Sequence, residues 1–130
     1  MSCLKKFIVP AFIILFLFIG IADCKDKKPV ILYLFWAEGC PYCAKEKIFL
    51  SELKKKYPSL QIKDYDVSVP ASVELLKTMS KAYKINPTGV PVTFIGSKAL
   101  IGFSEKTASQ IEEAVNYCLK NICEDPLYKK

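Results

Sequence analysis

Cys40 and Cys43 stand either side of Pro41-Tyr42, and the segments flanking this pair differ in kind. Upstream, Val30-Ile31-Leu32-Tyr33-Leu34-Phe35-Trp36 is apolar throughout and has the length of a strand. Downstream, Ala44 to Leu53 mixes charged and apolar residues as an amphipathic helix does. A thiol at such a junction meets unpaired backbone N–H groups and the positive end of the helix dipole, both of which favour a thiolate. A second thiol one turn inside can form or resolve a disulfide with it. The pattern reads as a dithiol–disulfide exchange site, with Cys40 as nucleophile and Cys43 as resolving thiol. Pro41 suits the first helical turn through its fixed φ. The chain contains no His, which removes imidazole acid–base chemistry and His metal ligation and leaves cysteine as the natural reactive group.

The same spacing also suits a static disulfide or half of a zinc site. Cys118 and Cys123 make a second local pair, and a four-thiolate zinc site would need both pairs in one place. Redox use is the stronger reading, and neither a metal nor a cofactor is expected. Five helical positions turn through about 500°, which sets Cys118 and Cys123 roughly 140° apart around one axis and about 8 Å apart. That exceeds the ~7 Å limit for a bridge, so the two do not share one regular helix. Asn121 tolerates the left-handed conformation that ends helices, and the expectation is that Cys123 folds back onto Cys118 there as a structural disulfide. A second redox pair relaying electrons, and free thiols or a metal site, are the alternatives.

The elements that must position these residues follow in order. Val30–Trp36 is apolar on both faces, as a strand covered on each side is. A helix is expected from Cys43 to about Lys56, with Ile48, Phe49 and Leu53 as its apolar side and Tyr57-Pro58 as its end. A second strand lies within Leu60 to Val67. Pro70 breaks the chain and Ser72 caps a helix to about Tyr83, with Val73, Leu76, Met79 and Tyr83 at helical spacing. Val92–Ile95 and Lys98–Ile101 flank a Gly96-Ser97 turn, a hairpin signal. Ser104 caps the last helix, whose apolar positions are Ala108, Ile111, Val115, Cys118 and Ile122. The order is β-α-β-α-β-β-α: an α/β domain.

Residues 1–24 read as a separate appendage. Lys5 and Lys6 precede an uncharged, almost wholly apolar run from Phe7 to Ala22. Three readings stay open: a signal peptide cleaved after Ala22, an uncleaved anchor, and lipidation at Cys24. The sixteen residues of the run fall just short of the ~17–25 that span a bilayer, and Asp23 departs from the small neutral residue that normally precedes a lipidated cysteine. Each reading exports the domain, residues 25–130, which matches the use of paired cysteines. The net charge of +6 is all Lys and scattered, without the Arg and Lys stripe of a nucleic-acid face, so no nucleic-acid partner is expected.

Residues 28–123 resemble the thioredoxin superfamily. Phe35-Trp36-Ala37-Glu38-Gly39-Cys40 is similar to the thioredoxin approach to the active site, Pro41-Tyr42 is the inner dipeptide of glutaredoxins, and Val90-Pro91 before a strand matches the superfamily's cis-proline loop. The resemblance implies a thioredoxin-like fold, a central mixed sheet flanked by helices. It also implies a cis Val90-Pro91 bond that frees the Val90 backbone to pair with a substrate segment. Tyr42, between the cysteines, is expected as an exposed substrate contact, and Trp36 as either a substrate contact or simple packing. Two departures bear on chemistry. Thioredoxins place a buried Asp six residues before the first cysteine, where this chain has Leu34, so no base for Cys43 is evident. The lysine paired with that Asp corresponds to Lys63, whose direction the strand parity leaves open. The second Gly of the glutaredoxin glutathione turn is Phe103 here, so glutathione binding is not carried over. The expectation is an extracytoplasmic thiol–disulfide oxidoreductase acting on protein thiols and disulfides, with a membrane redox partner and a tether through residues 7–22 if that segment is retained. The alternative from another class is a non-catalytic, membrane-tethered binding module that keeps CxxC as a staple.

Overall fold

A computed structural model describes residues 28–130. The signal or anchor expected over residues 1–24, and lipidation at Cys24, lie outside the described residues. The elements are β1 (Val30–Trp36), α1 (Pro41–Lys56), β2 (Leu60–Asp66), α2 (Pro70–Tyr83), β3 (Val92–Ile95), β4 (Lys98–Ile101), α3 (Glu105–Lys120) and a short 3-10 turn (Pro126–Tyr128). They form one mixed sheet in the order β2-β1-β3-β4. β1 runs parallel to β2 and antiparallel to β3, and β3 is antiparallel to β4.

The two faces of the sheet build two cores. Val30, Leu32 and Leu34 of β1 join Leu50 and Leu53 of α1 and Ile111 of α3 on one face. Tyr33 and Phe35, one residue out of step, join Val92, Phe94 and Met79 of α2 on the other. Period-two alternation thus sends successive β1 side chains into two different apolar layers, which is why the strand is apolar at every position. Residues Leu32 to Phe35 are at most 1% exposed. Among the described residues no helix is long and apolar enough to cross a membrane.

α1 begins two residues before its expected start and α2 three, with Val69 rather than Ser72 at the N-cap position of α2. Each has a proline in the first turn, where the missing N–H is one the helix would leave unpaired anyway. The apolar face of α1 also differs from expectation. Cys43, Glu46, Leu50 and Leu53, stepping by three and four, are its buried positions, whereas Ile48 lies about 200° from Glu46 around the axis and is 68% exposed. α3 ends at Lys120, so Ile122 falls beyond it and is exposed. Across the helix pair, Glu112 accepts from Lys56 Nζ (2.5 Å) and Tyr57 Oη (2.9 Å), which holds its carboxyl below the usual range and ties the end of α1 to α3.

Candidate active site

β1 delivers the chain to the Cys40 end of the sheet, and Ala37-Glu38-Gly39 turns it into α1, with Gly39 at φ +73°. Cys40 is the N-cap residue of α1, in extended conformation. Its Sγ accepts a hydrogen bond from the Cys43 N–H at 3.2 Å, one of the donors that a helix start leaves unpaired. Cys40 is half-buried and Cys43 is 1% exposed, and the two are joined as a disulfide with Cα atoms 5.2 Å apart. The outer sulfur therefore meets solvent and the inner one faces the core.

The peptide bond Val90–Pro91 is cis. Cys40 Sγ lies 3.7 Å from the Val90 carbonyl oxygen, so residues fifty positions apart form one wall of the site. Pro91 is buried, and its carbonyl accepts from the Gly102 N–H at 2.8 Å, which fastens the β4–α3 connection beside it. Phe103, where a glycine would complete a glutathione turn, packs its ring against Phe49 at 5.5 Å between centroids. Tyr42 is 56% exposed next to the sulfurs, with Lys45 Nζ 5.8 Å from its ring centre. Trp36 sits at the end of β1 with both its polar atom and its ring engaged. Nε1 donates to Asp64 (3.1 Å) and Lys47 Nζ lies 2.8 Å from the ring centroid.

The structure adds a residue that the sequence reading passed over. Glu46 follows Cys43 by one helical turn on the same face and is fully buried. Its Oε1 accepts a hydrogen bond from the Thr93 hydroxyl, while Oε2 has no hydrogen-bond partner. Burial pushes the carboxyl up to about 7, with the Thr93 hydrogen bond opposing the rise. Thr93 is the cross-strand partner of Leu34, so the carboxyl enters the same face of the sheet as Leu34. The buried acid that β1 lacks comes instead from α1. A charged residue stepping three from Cys43 and four to Leu50, in a helix otherwise apolar on that side, was the available signal. Lys63 points the other way, to the α2 face, where its Nζ meets the Tyr33 hydroxyl at 3.0 Å.

Cys118 and Cys123 are bonded with Cα atoms 5.2 Å apart, at the opposite end of the sheet. Asn121 ends α3 in extended conformation (φ −124°, ψ 159°) rather than left-handed, because its N–H and its Nδ2 both bond the Tyr117 carbonyl and close the helix without a reversal at that residue. The bridge packs against Gly96 at the far end of β3, whereas Pro91 precedes the near end. Four thiolates at opposite ends of a strand cannot share one metal ion.

No protein-family model and no curated protein matches the chain. Solved structures do. It is similar to a protein assigned as the thiol:disulfide interchange protein DsbE of Chlorobium tepidum, at 14% identity and TM-score 0.54, over 72% of this chain and 82% of that one. It is also similar to an uncharacterised thioredoxin-like protein of Clostridium perfringens, at 22% identity and TM-score 0.51, over 72% of this chain and 73% of that one. The chain has a thioredoxin-like α/β fold, with its CxxC pair at the start of the first helix.

Proposed function

We propose that this chain is a thiol–disulfide oxidoreductase that exchanges disulfides with protein substrates outside the cytoplasm. The observation that carries the reading is the position of Cys40 Sγ, on the N-cap of α1 and 3.7 Å from the Val90 carbonyl next to Pro91. In the dithiol form the helix N-terminus favours the Cys40 thiolate, which attacks one sulfur of a substrate disulfide. The substrate S–S bond breaks, one substrate thiolate departs and takes a proton, and Cys40 is left in a mixed disulfide. Cys43 then gives up its proton and attacks Cys40 Sγ, which releases the second substrate thiol and closes the Cys40–Cys43 bond. Two electrons pass to the substrate, and the reverse sequence oxidises a substrate dithiol.

Cys43 is buried, so its proton needs an acceptor inside the protein. Glu46, one turn further along α1 and with a free Oε2, is the group placed to take it, and a carboxyl at about 7 is matched to that exchange near neutral pH. Tyr42 and the backbone of Val90 offer the contact surface for a substrate segment. Export rests on the apolar run Phe7–Ala22, and a membrane redox partner would renew the active pair. Insulin reduction and refolding of a reduced, disulfide-containing protein test the reading together. Activity in either that vanishes in Cys40→Ser supports it, and activity in neither, with the Cys40–Cys43 bond inert to mild dithiols, would leave only a binding module.

A further inference from the structure

The end of the sheet remote from Cys40 carries a second construction, formed by the ten residues after α3. The chain leaves Lys120, passes through extended Asn121 and returns Cys123 to Cys118, a buried residue in the last turn of the helix. Gly96, in the β3–β4 turn, lies directly against this bridge. A Cβ there would stand 3.0 Å from Cys118 Sγ and 3.3 Å from Cys123 Sγ, and φ is +52°, so a side chain at this position would be strained and would press on the bridge. From the bridge the chain crosses beneath the sheet to the α2 side. Asp125 comes within 3.7 Å of Lys63 Nζ, which also meets the buried Tyr33 hydroxyl. Pro126 is buried, and Lys129 Nζ bonds the Ser97 carbonyl at 3.2 Å and lies 4.1 Å from the ring centre of Tyr83.

We propose that Cys118–Cys123 is a latch that holds this C-terminal strap, residues 121–130, across the foot of the sheet, and that opening it frees the strap while leaving the Cys40 end intact. The strap has no strand pairing and only a three-residue 3-10 turn, so few backbone hydrogen bonds hold it. Its ion pair with Lys63 is long and partly exposed, and such pairs add little. The covalent bond is what confines it, by tying Cys123 to Cys118 and removing freedom that residues 121–130 would otherwise have.

Position also separates the latch from turnover. The two bridges lie at opposite ends of β3, a strand of four residues and so about 13 Å long, whereas exchange requires sulfur-to-sulfur contact. Cys40 sits at a helix N-terminus, which favours its thiolate, and Cys118 sits in a last turn, where the negative end of the dipole disfavours one. A poorer leaving thiolate makes the latch slower to open. Opening it takes an external dithiol, which loses two electrons and two protons to become a disulfide as the Cys118–Cys123 bond becomes two thiols.

The test is amide hydrogen exchange on the full chain, comparing wild type with Cys118→Ser/Cys123→Ser, alongside alkylation of wild type across a dithiothreitol series. The amides of Leu127, Tyr128 and Lys129, which bond Asp125 and Pro126, should exchange about tenfold faster or more in the double variant, while α1 and β1 change less than about twofold. Cys40–Cys43 should open at a dithiothreitol concentration about tenfold or more below that for Cys118–Cys123. Strap exchange within twofold of wild type would overturn the proposal, since the polar contacts alone would then hold it. Loss of protection throughout the domain would overturn it as well, by making the bridge a requirement of the whole fold. Both bridges opening together would overturn the separation of latch from active pair. None of these readouts depends on whether the chain reduces or oxidises a protein substrate.

Discussion

Glu46 and Thr93 meet across the interface between α1 and β3, with the Thr93 hydroxyl donating to a carboxyl that has no access to water. One carboxyl oxygen is satisfied and the other is not. A buried carboxylate is expensive under such conditions, and the group responds by holding its proton to a higher pH.

This gives stability a defined dependence on pH. The folded carboxyl titrates at about 7, against an ordinary value of 4.5. Between those values the folded chain holds a proton that the unfolded chain has lost, so stability falls as pH rises and the fall is complete above about 7. A rise of that size corresponds to about 3 kcal/mol. Glu46→Gln should therefore be more stable than wild type at pH 8 by up to about 3 kcal/mol, and close to it at pH 4, in urea titrations at the two pH values.

The same substitution separates structure from chemistry. Glutamine cannot take the Cys43 proton, so release of substrate from the mixed disulfide should slow by about tenfold or more, while attack by Cys40 changes little. Stopped-flow measurement of the two steps checks this. Equal rates in the more stable variant would remove Glu46 from the mechanism.

Leu34→Asp places a second carboxyl on the face that Glu46 already occupies, since Leu34 pairs with Thr93. Leu34 is 1% exposed, so an unpaired charge there should cost about 3 kcal/mol or more. Like charges so close should also raise the titration of one of the two further. A lowered urea midpoint is the expected result, and an unchanged midpoint would place Leu34 away from the buried acid.

Cys40→Ser should abolish exchange, and Cys43→Ser should accumulate mixed disulfides through Cys40. Intact-mass analysis after incubation with an oxidised protein substrate distinguishes the two. Adducts in Cys40→Ser and none in Cys43→Ser would reverse the assignment of nucleophile and resolving thiol.

Tyr42→Ala removes an aromatic ring that is 56% exposed beside the sulfurs. If it contacts substrate, KM for a protein disulfide should rise about five- to thirtyfold, equivalent to about 1–2 kcal/mol. The rate with a small disulfide reagent should stay within twofold. A parallel loss with both substrates would mean that Tyr42 shapes the active pair rather than binding protein.

The order of elements and the place of the CxxC pair at the start of the first helix were legible from residue patterns alone. They depend on local rules: a two-sided apolar run makes a covered strand, a proline starts a helix, and glycine marks a turn. Even the distance argument that keeps Cys118 and Cys123 off one regular helix needed only helical geometry. What tertiary structure decided concerns contacts between elements distant in sequence. Ile48 and Glu46 lie on opposite sides of α1, and local pattern favoured the apolar one as the buried residue. The sheet instead supplies Thr93 as a partner, and the inward position goes to the acid. Lys63 could face either layer until the pairing of β2 with β1 set it against Tyr33. Asn121 did not need a left-handed turn, because its N–H and Nδ2 both close on the Tyr117 carbonyl one turn back, and the distant contribution is Gly96, against which the returning bridge packs. A pattern along the chain reports which residues can be buried. Which of them is buried, and beside what, depends on the partner that another element brings to it.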